Sequence, residues 1–230
     1  MYPIGFYDVS YILVIIGVVL CLLAQSKVKT TYARYSRVRT MSGITGQEAA
    51  ERILRQEGIY DVAVVRVSGT LTDHYDPRNK TLALSDAVFD QTSVAAVSVA
   101  AHECGHAVQD STGYAPLRIR GALVPVANFG AQISWPMIIL GIVLGWNRIL
   151  IEIGIIMFTA VVLFHFITLP VEFNASSRAL KILDSSGMLQ GEENTFAKKV
   201  LSAAAMTYVA SAASMALQLL RLLLLSRRRD

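Results

Sequence analysis

Cysteine is nearly absent: two residues in 230, Cys21 in an apolar run and Cys104 far from it, give no disulfide framework. Charge is thin as well. Asp, Glu, Lys and Arg make up 17% of the chain, against about a quarter in a typical soluble domain. The net charge is only +4, and the basic residues gather beside apolar runs, which suits a membrane surface and excludes an extended nucleic-acid face. Histidine is scarce, with four in the chain. No internal repeat or low-complexity tract divides the sequence.

What is present is apolar. Hydrophobic residues are 53% of the chain, mean hydropathy is +0.47, and the apolar residues form long blocks. The first runs uncharged from Val9 to Ser26, long enough to cross a bilayer at about 1.5 Å per residue. No Lys or Arg precedes it and no convincing cleavage site follows, so a retained anchor is expected in place of a signal peptide. The next stretch, KVKTTYARYSRVRT, carries five basic residues and no acid, which puts this flank in the cytoplasm and the N-terminus outside. It also reads as a solvated linker. Ala122 to Trp146 and Ile149 to Leu169 predict a transmembrane hairpin that returns the chain to the same side. The last block, Leu201 to Leu225, is ambiguous. Its small residues suit close packing, and a span would put Arg227, Arg228 and Arg229 outside against the charge rule. A helix packed on the polar domain at the membrane interface is preferred.

Between these blocks lies a polar domain, residues 42 to 120. TGQEAAERILRQEG predicts a helix opened by a capping box, Thr45 with Glu48, and ended near Gly58. VAVVRV reads as a strand, and TLTDHYDPRNKTLALS as a hairpin turning at Asp76 to Asn79. QTSVAAVSVAAHECGHAVQDS has helical composition.

That last helix holds His102, Glu103 and His106. Positions i and i+4 share one helix face, so the two imidazoles can grip one ion, while Glu103, turned about 100° away, flanks it. A zinc hydrolase needs this arrangement: two imidazoles on the metal, an open position for water, and a carboxylate to take the water's proton. Cys104 faces the other side and reads as a small packed hydrophobe. A third ligand is required. His165 and Glu172 lie about 10 Å apart along one helix, so one site can use only one of them. His165 lies inside an apolar block and Glu172 at its cytoplasmic end. Glu172 is the better choice.

HECGH, a hydrophobic hairpin, then EFNAS at Glu172 to Ser176 resembles the layout of HtpX-type and CAAX-processing membrane zinc proteases. More closely, the chain resembles the YugP-like family of membrane zinc metallopeptidases. SGITGQEAAERIL, LTDHYDPRNKTLALS, AAHECGHAVQ, VEFNASSRAL and AAAMTYVA carry this likeness. The resemblance implies His102, His106 and Glu172 as zinc ligands and Glu103 as base. Where the HtpX pattern has an aspartate that orients a ligating histidine, this chain has Ser176, so Ser176, Asn174 or a group from elsewhere is left to fill that role.

The expected fold is therefore a multi-pass α-helical membrane protein with a small α+β zincin-like HExxH domain. Its parts are an anchor (1–26), an α+β catalytic portion (27–120), a transmembrane hairpin (121–171) and a C-terminal helical part (172–230). The expected function is a cell-membrane zinc metalloendopeptidase with one Zn²⁺ per chain, facing the cytoplasm. Its partners would be the bilayer and membrane-associated or unfolded protein or peptide substrates, without nucleic acid. Arg178, His74 and Tyr208 are candidates to support the developing oxyanion, and the strand region Leu71 to Ser85 to receive an extended substrate. The alternatives are a non-catalytic zinc scaffold, or an ion- or proton-handling protein using Glu152 and His165 inside the membrane.

Overall fold

The computed structural model describes residues 10–227. Val9, the first residue of the expected apolar run, and Arg228 and Arg229, which bear on the last block, lie outside that range. Six helices and three short strands follow in order: α1 Tyr11–Tyr35, α2 Gly46–Gln56, β1 Ala63–Val67, β2 His74–Asp76, β3 Thr81–Ser85, α3 Val94–Ser111, α4 Ala115–Val143, α5 Arg148–Ser186 and α6 Glu192–Arg227. Among the described residues, α1, α4, α5 and α6 are long and apolar enough to cross a membrane. The described residues are mostly helical, with these four candidate membrane-spanning helices and a small three-stranded sheet.

Two compact units divide the chain. The first takes Met1–Ala24, Ile119–Leu169 and Thr207–Asp230. Its helices meet through small residues, because only those let backbones approach closely where no hydrophobic drive separates helix from lipid. A Cβ on Gly154 would come within 2.8 Å of the Ser134 carbonyl, and one on Gly130 within 2.7 Å of the Met157 carbonyl. Beside these contacts Ile138, Ile151, Ile155, Phe158, Val162 and Leu222 form an apolar cluster. Isoleucines of α1 such as Ile12 and Ile15 stay more than half exposed, as side chains destined for lipid do.

The second unit takes Gln25–Arg118 and Pro170–Met206. α2 opens with the expected box: the Glu48 amide donates to Thr45 Oγ1, and the Thr45 amide to the Glu48 carboxylate. The chain leaves the helix through Gly58 at φ +71°, a conformation that suits glycine. β2 and β3 pair antiparallel as the expected hairpin, and β1 joins β3 in parallel, giving the order β1-β3-β2. β3 is therefore central. In the expected substrate-receiving stretch, the three-residue β2 is the edge strand among the described residues. Ile53, Leu82, Leu84, Val97 and Leu183 fill a core shared by α2, β3, α3 and α5.

One further expectation changes. The basic flank after the first apolar run is not a linker: α1 continues through it to Tyr35. α5 runs unbroken from Arg148 to Ser186, with Pro170 inside it. Apolar helices tolerate a proline because neighbouring groups take up the freed carbonyl. The last block belongs to α6, a helix with the length and composition of a span.

Candidate metal centre

α3 is capped by Ser93, whose hydroxyl accepts the Ala96 amide, and its first residues, Val94 to Ser98, are all buried. Close packing against α5 follows from one residue. A Cβ on Gly105 would sit 2.5 Å from the Ala175 carbonyl, so the helices touch backbone to backbone there. Val171, Glu172, Ala175, Ala179 and Leu183 recur at three- and four-residue spacing and form the buried face of α5. Helical phase alone thus aims Glu172 at α3, and no break at Pro170 is needed.

His102, His106 and Glu172 converge. One ligand atom from each lies within 4.8 Å of the other two. His102 Nε2 is 3.3 Å and His106 Nε2 3.6 Å from Glu172 Oε2. Ligands of a tetrahedral ion with bonds near 2 Å are separated by about 3.3 Å, close to the two distances from Glu172, so these residues could hold a metal such as zinc. Glu172 is 1% exposed. Burial alone would push its carboxyl up, but hydrogen bonds from both imidazoles hold it well below the usual carboxylate range. His106 responds in the opposite sense. Burial disfavours its charged form, yet the Glu172 hydrogen bond and the charges of Glu103 and Glu172 raise its pKa above the ordinary value.

The far nitrogens are engaged too. His102 Nδ1 lies 3.1 Å from Ser176 Oγ. His106 Nδ1 meets Gln109 Oε1 at 3.0 Å, and Gln109, with no exposed surface, donates through Nε2 to the Val171 carbonyl (2.8 Å) and to Asn174 Oδ1 (3.0 Å). Asn174 Oδ1 also accepts from Arg178 Nε at 2.8 Å. These partners fix the amide orientations. Asn174 Oδ1 must face two donors, so the Gln109 NH₂ points there, its oxygen faces His106, and Nδ1 of His106 carries the proton. An ion bound here would take the place of the His106 Nε2 proton that faces Glu172, while Nδ1 keeps its own. Ser176, Asn174 and Arg178 thus all surround the site. Gln109, which the sequence reading did not single out, is its buried centre. Its spacing three residues beyond His106 is the one signal that could have found it.

Other candidates stand apart. His74 is exposed on β2, its Nδ1–H donating to the Thr72 carbonyl at 2.9 Å. Tyr208 belongs to the first unit, while the centre is built wholly in the second. His165, also in the first unit, donates from Nδ1 to the Val161 carbonyl of its own helix at 2.9 Å. Cys104 is buried with its sulfur 3.6 Å from the Ala50 carbonyl, and burial followed by the charge of Glu103 pushes its thiol well up, away from ligand chemistry. Glu103 itself is 8% exposed and makes no hydrogen bond among the described residues.

A family described as "Putative neutral zinc metallopeptidase" matches residues 10–227 of this chain. A curated relative, "Putative membrane protease YugP" of Bacillus subtilis (strain 168), is 48% identical over 202 residues, covering 88% of this chain and 89% of the relative. No solved structure matches.

Proposed function

The chain belongs to this neutral zinc metallopeptidase family, and from that premise we propose that it is a membrane-embedded zinc metalloendopeptidase with a zincin-like centre. His102, His106 and Glu172 hold one Zn²⁺ per chain. Zinc bound there supplies Lewis acidity, towards both a peptide carbonyl and an attacking water. Glu103 accepts the proton of that water as its oxygen bonds to the carbonyl carbon. When the C–N bond breaks, the same proton passes to the leaving amine, so the carboxylate is restored. Ser176 and Gln109 hold the imidazole orientations, with Asn174 and Arg178 behind Gln109. The substrates are membrane-associated or unfolded chains. The centre faces the cytoplasm, a reading supported by the five basic residues between Lys27 and Arg39.

One observation carries the reading: three convergent ligands, His102, His106 and Glu172, with Glu103 next in sequence to His102 and making no hydrogen bond among the described residues. Glu103→Gln tests it. The variant should keep about one zinc per chain and lose about 10²-fold or more in peptide hydrolysis. Undiminished hydrolysis would refute the proposal, and loss of zinc would make Glu103 structural.

A further inference from the structure

α5 has a second face beside the one that carries Glu172. Phe173, Ser176, Ser177, Leu180 and Lys181 follow at three- and four-residue spacing. With Lys198, Leu201, Ser202, Ala205 and Met206 of α6 they line a cavity of about 490 Å³. Leu201, Ala205 and Ser176 are its buried floor, while Phe173, Met206, Lys181 and Lys198 stand exposed at its rim. Ser176 belongs to both places, since its hydroxyl is also the partner of His102 Nδ1. The cavity therefore adjoins the metal centre.

The groove also has a direction. Residues 187–191 turn the chain back, so α5 and α6 run antiparallel along it. Phe173 then falls at the same end as Met206, next in sequence to Glu172, and Lys181 at the same end as Lys198. Eight residues of helix separate those ends by about 12 Å. An extended peptide covers that distance in about three to four residues. No acidic residue lines the cavity, and neither lysine makes an ion pair or hydrogen bond among the described residues. Two like charges at one end of an apolar trough are complementary to an anion.

We propose that this groove is a specificity site for the substrate peptide. It takes an apolar side chain beside the scissile bond, against Phe173 and Met206, and a carboxylate three to four residues further along, between Lys181 and Lys198. The proposal rests on the hydrolytic reading above.

The test uses the full chain carrying Glu103→Gln, in phosphatidylcholine nanodiscs, with fluorescent peptides read by anisotropy. Each peptide has one Leu, and Glu, Gln or Lys at one to six residues from it. At spacings of three and four the Glu peptide should bind about tenfold tighter than its Gln twin. Adding Lys181→Glu with Lys198→Glu should reverse the order in favour of the Lys peptide, with zinc content unchanged. Lys199→Glu makes one charge reversal of the same kind outside the cavity and should leave the order as it was. Equal binding of Glu and Gln peptides at every spacing would overturn the proposal, as would a preference that the double reversal leaves intact. Displacement of the peptide by added phosphatidylglycerol would make the occupant an anionic lipid and overturn it too. The zinc-loaded wild-type chain separates the two readings. Hydrolysis without charge selectivity refutes the groove alone, and charge-selective binding without hydrolysis refutes the hydrolytic reading alone.

Discussion

Glu172 and His165 lie on the same helix with opposite surroundings. Glu172 is buried among two imidazoles, whereas His165 satisfies its Nδ1–H on its own helix. Removing the carboxylate leaves two imidazoles, too few to hold zinc tightly. Glu172→Ala should therefore drop zinc from about one per chain to near zero and abolish hydrolysis, while His165→Ala should keep both. Metal analysis of the purified variants checks this, and the reverse pattern would move the site into the apolar part of α5. The imidazole tautomers are a residue-scale matter as well. Gln109 serves a purpose that an alanine-rich helix cannot, since it alone links His106 to two acceptors on α5.

At the scale of elements, the centre exists because α3 and α5 touch. Gly105→Ala would drive a methyl into the Ala175 carbonyl, and overpacking of this kind costs about 1–3 kcal/mol. The variant should melt at lower temperature and bind zinc more weakly, because the carboxylate moves with α5. Gly121→Ala, on α4 where a Cβ meets nothing within 4 Å, should be neutral or slightly stabilising. Thermal melts with and without chelator distinguish the two.

The far end of α3 is tied to the hairpin by Asp110, which accepts from Lys80 Nζ at 2.7 Å and from the Tyr75 hydroxyl at 2.9 Å. Burial pushes the Asp110 carboxyl up, but these two donors outweigh it and set it below its ordinary 3.8. A group with a depressed folded pKa stabilises above its unfolded value and loses that stabilisation as pH falls through the folded one. The stability gap between wild type and Asp110→Asn should be full at neutral pH and close below pH 3.8. Parallel melts from pH 7 downwards measure it. A gap that persists in acid would deny the ion pair its role.

For the whole molecule the open question is sidedness. The basic residues that decide it, Lys27, Lys29, Arg34, Arg37 and Arg39, lie on the extension of α1 and just after it, and not on a free linker. Translocating that helix end would carry five charges across the bilayer, so it should stay in the cytoplasm. Ser68 is exposed in the unit that holds the metal centre. With Cys21 and Cys104 replaced, Ser68→Cys should resist an impermeant thiol reagent in intact cells and react after lysis. Labelling of intact cells would put the centre, and its substrates, outside.

The sequence by itself determined whatever acts within a few residues. Thr45 and Glu48 close their box locally, Asp76 to Asn79 turn the hairpin locally, and His102 and His106 share a face by helical pitch alone. The long apolar blocks likewise need no partner to announce four long helices. Only the tertiary structure decided what depends on pairs far apart in the chain. The bonds from Gln109 to Val171 and from Ser176 to His102 span 62 and 74 residues, and no local pattern encodes them. The parallel pairing of β1 with β3 and the groove between α5 and α6 are of the same kind. Pro170 shows why such contacts prevail. Its missing N–H predicts a break, but the helix persists because the face with Val171, Glu172, Ala175 and Ala179 is buried against α3, and packing outweighs one lost hydrogen bond.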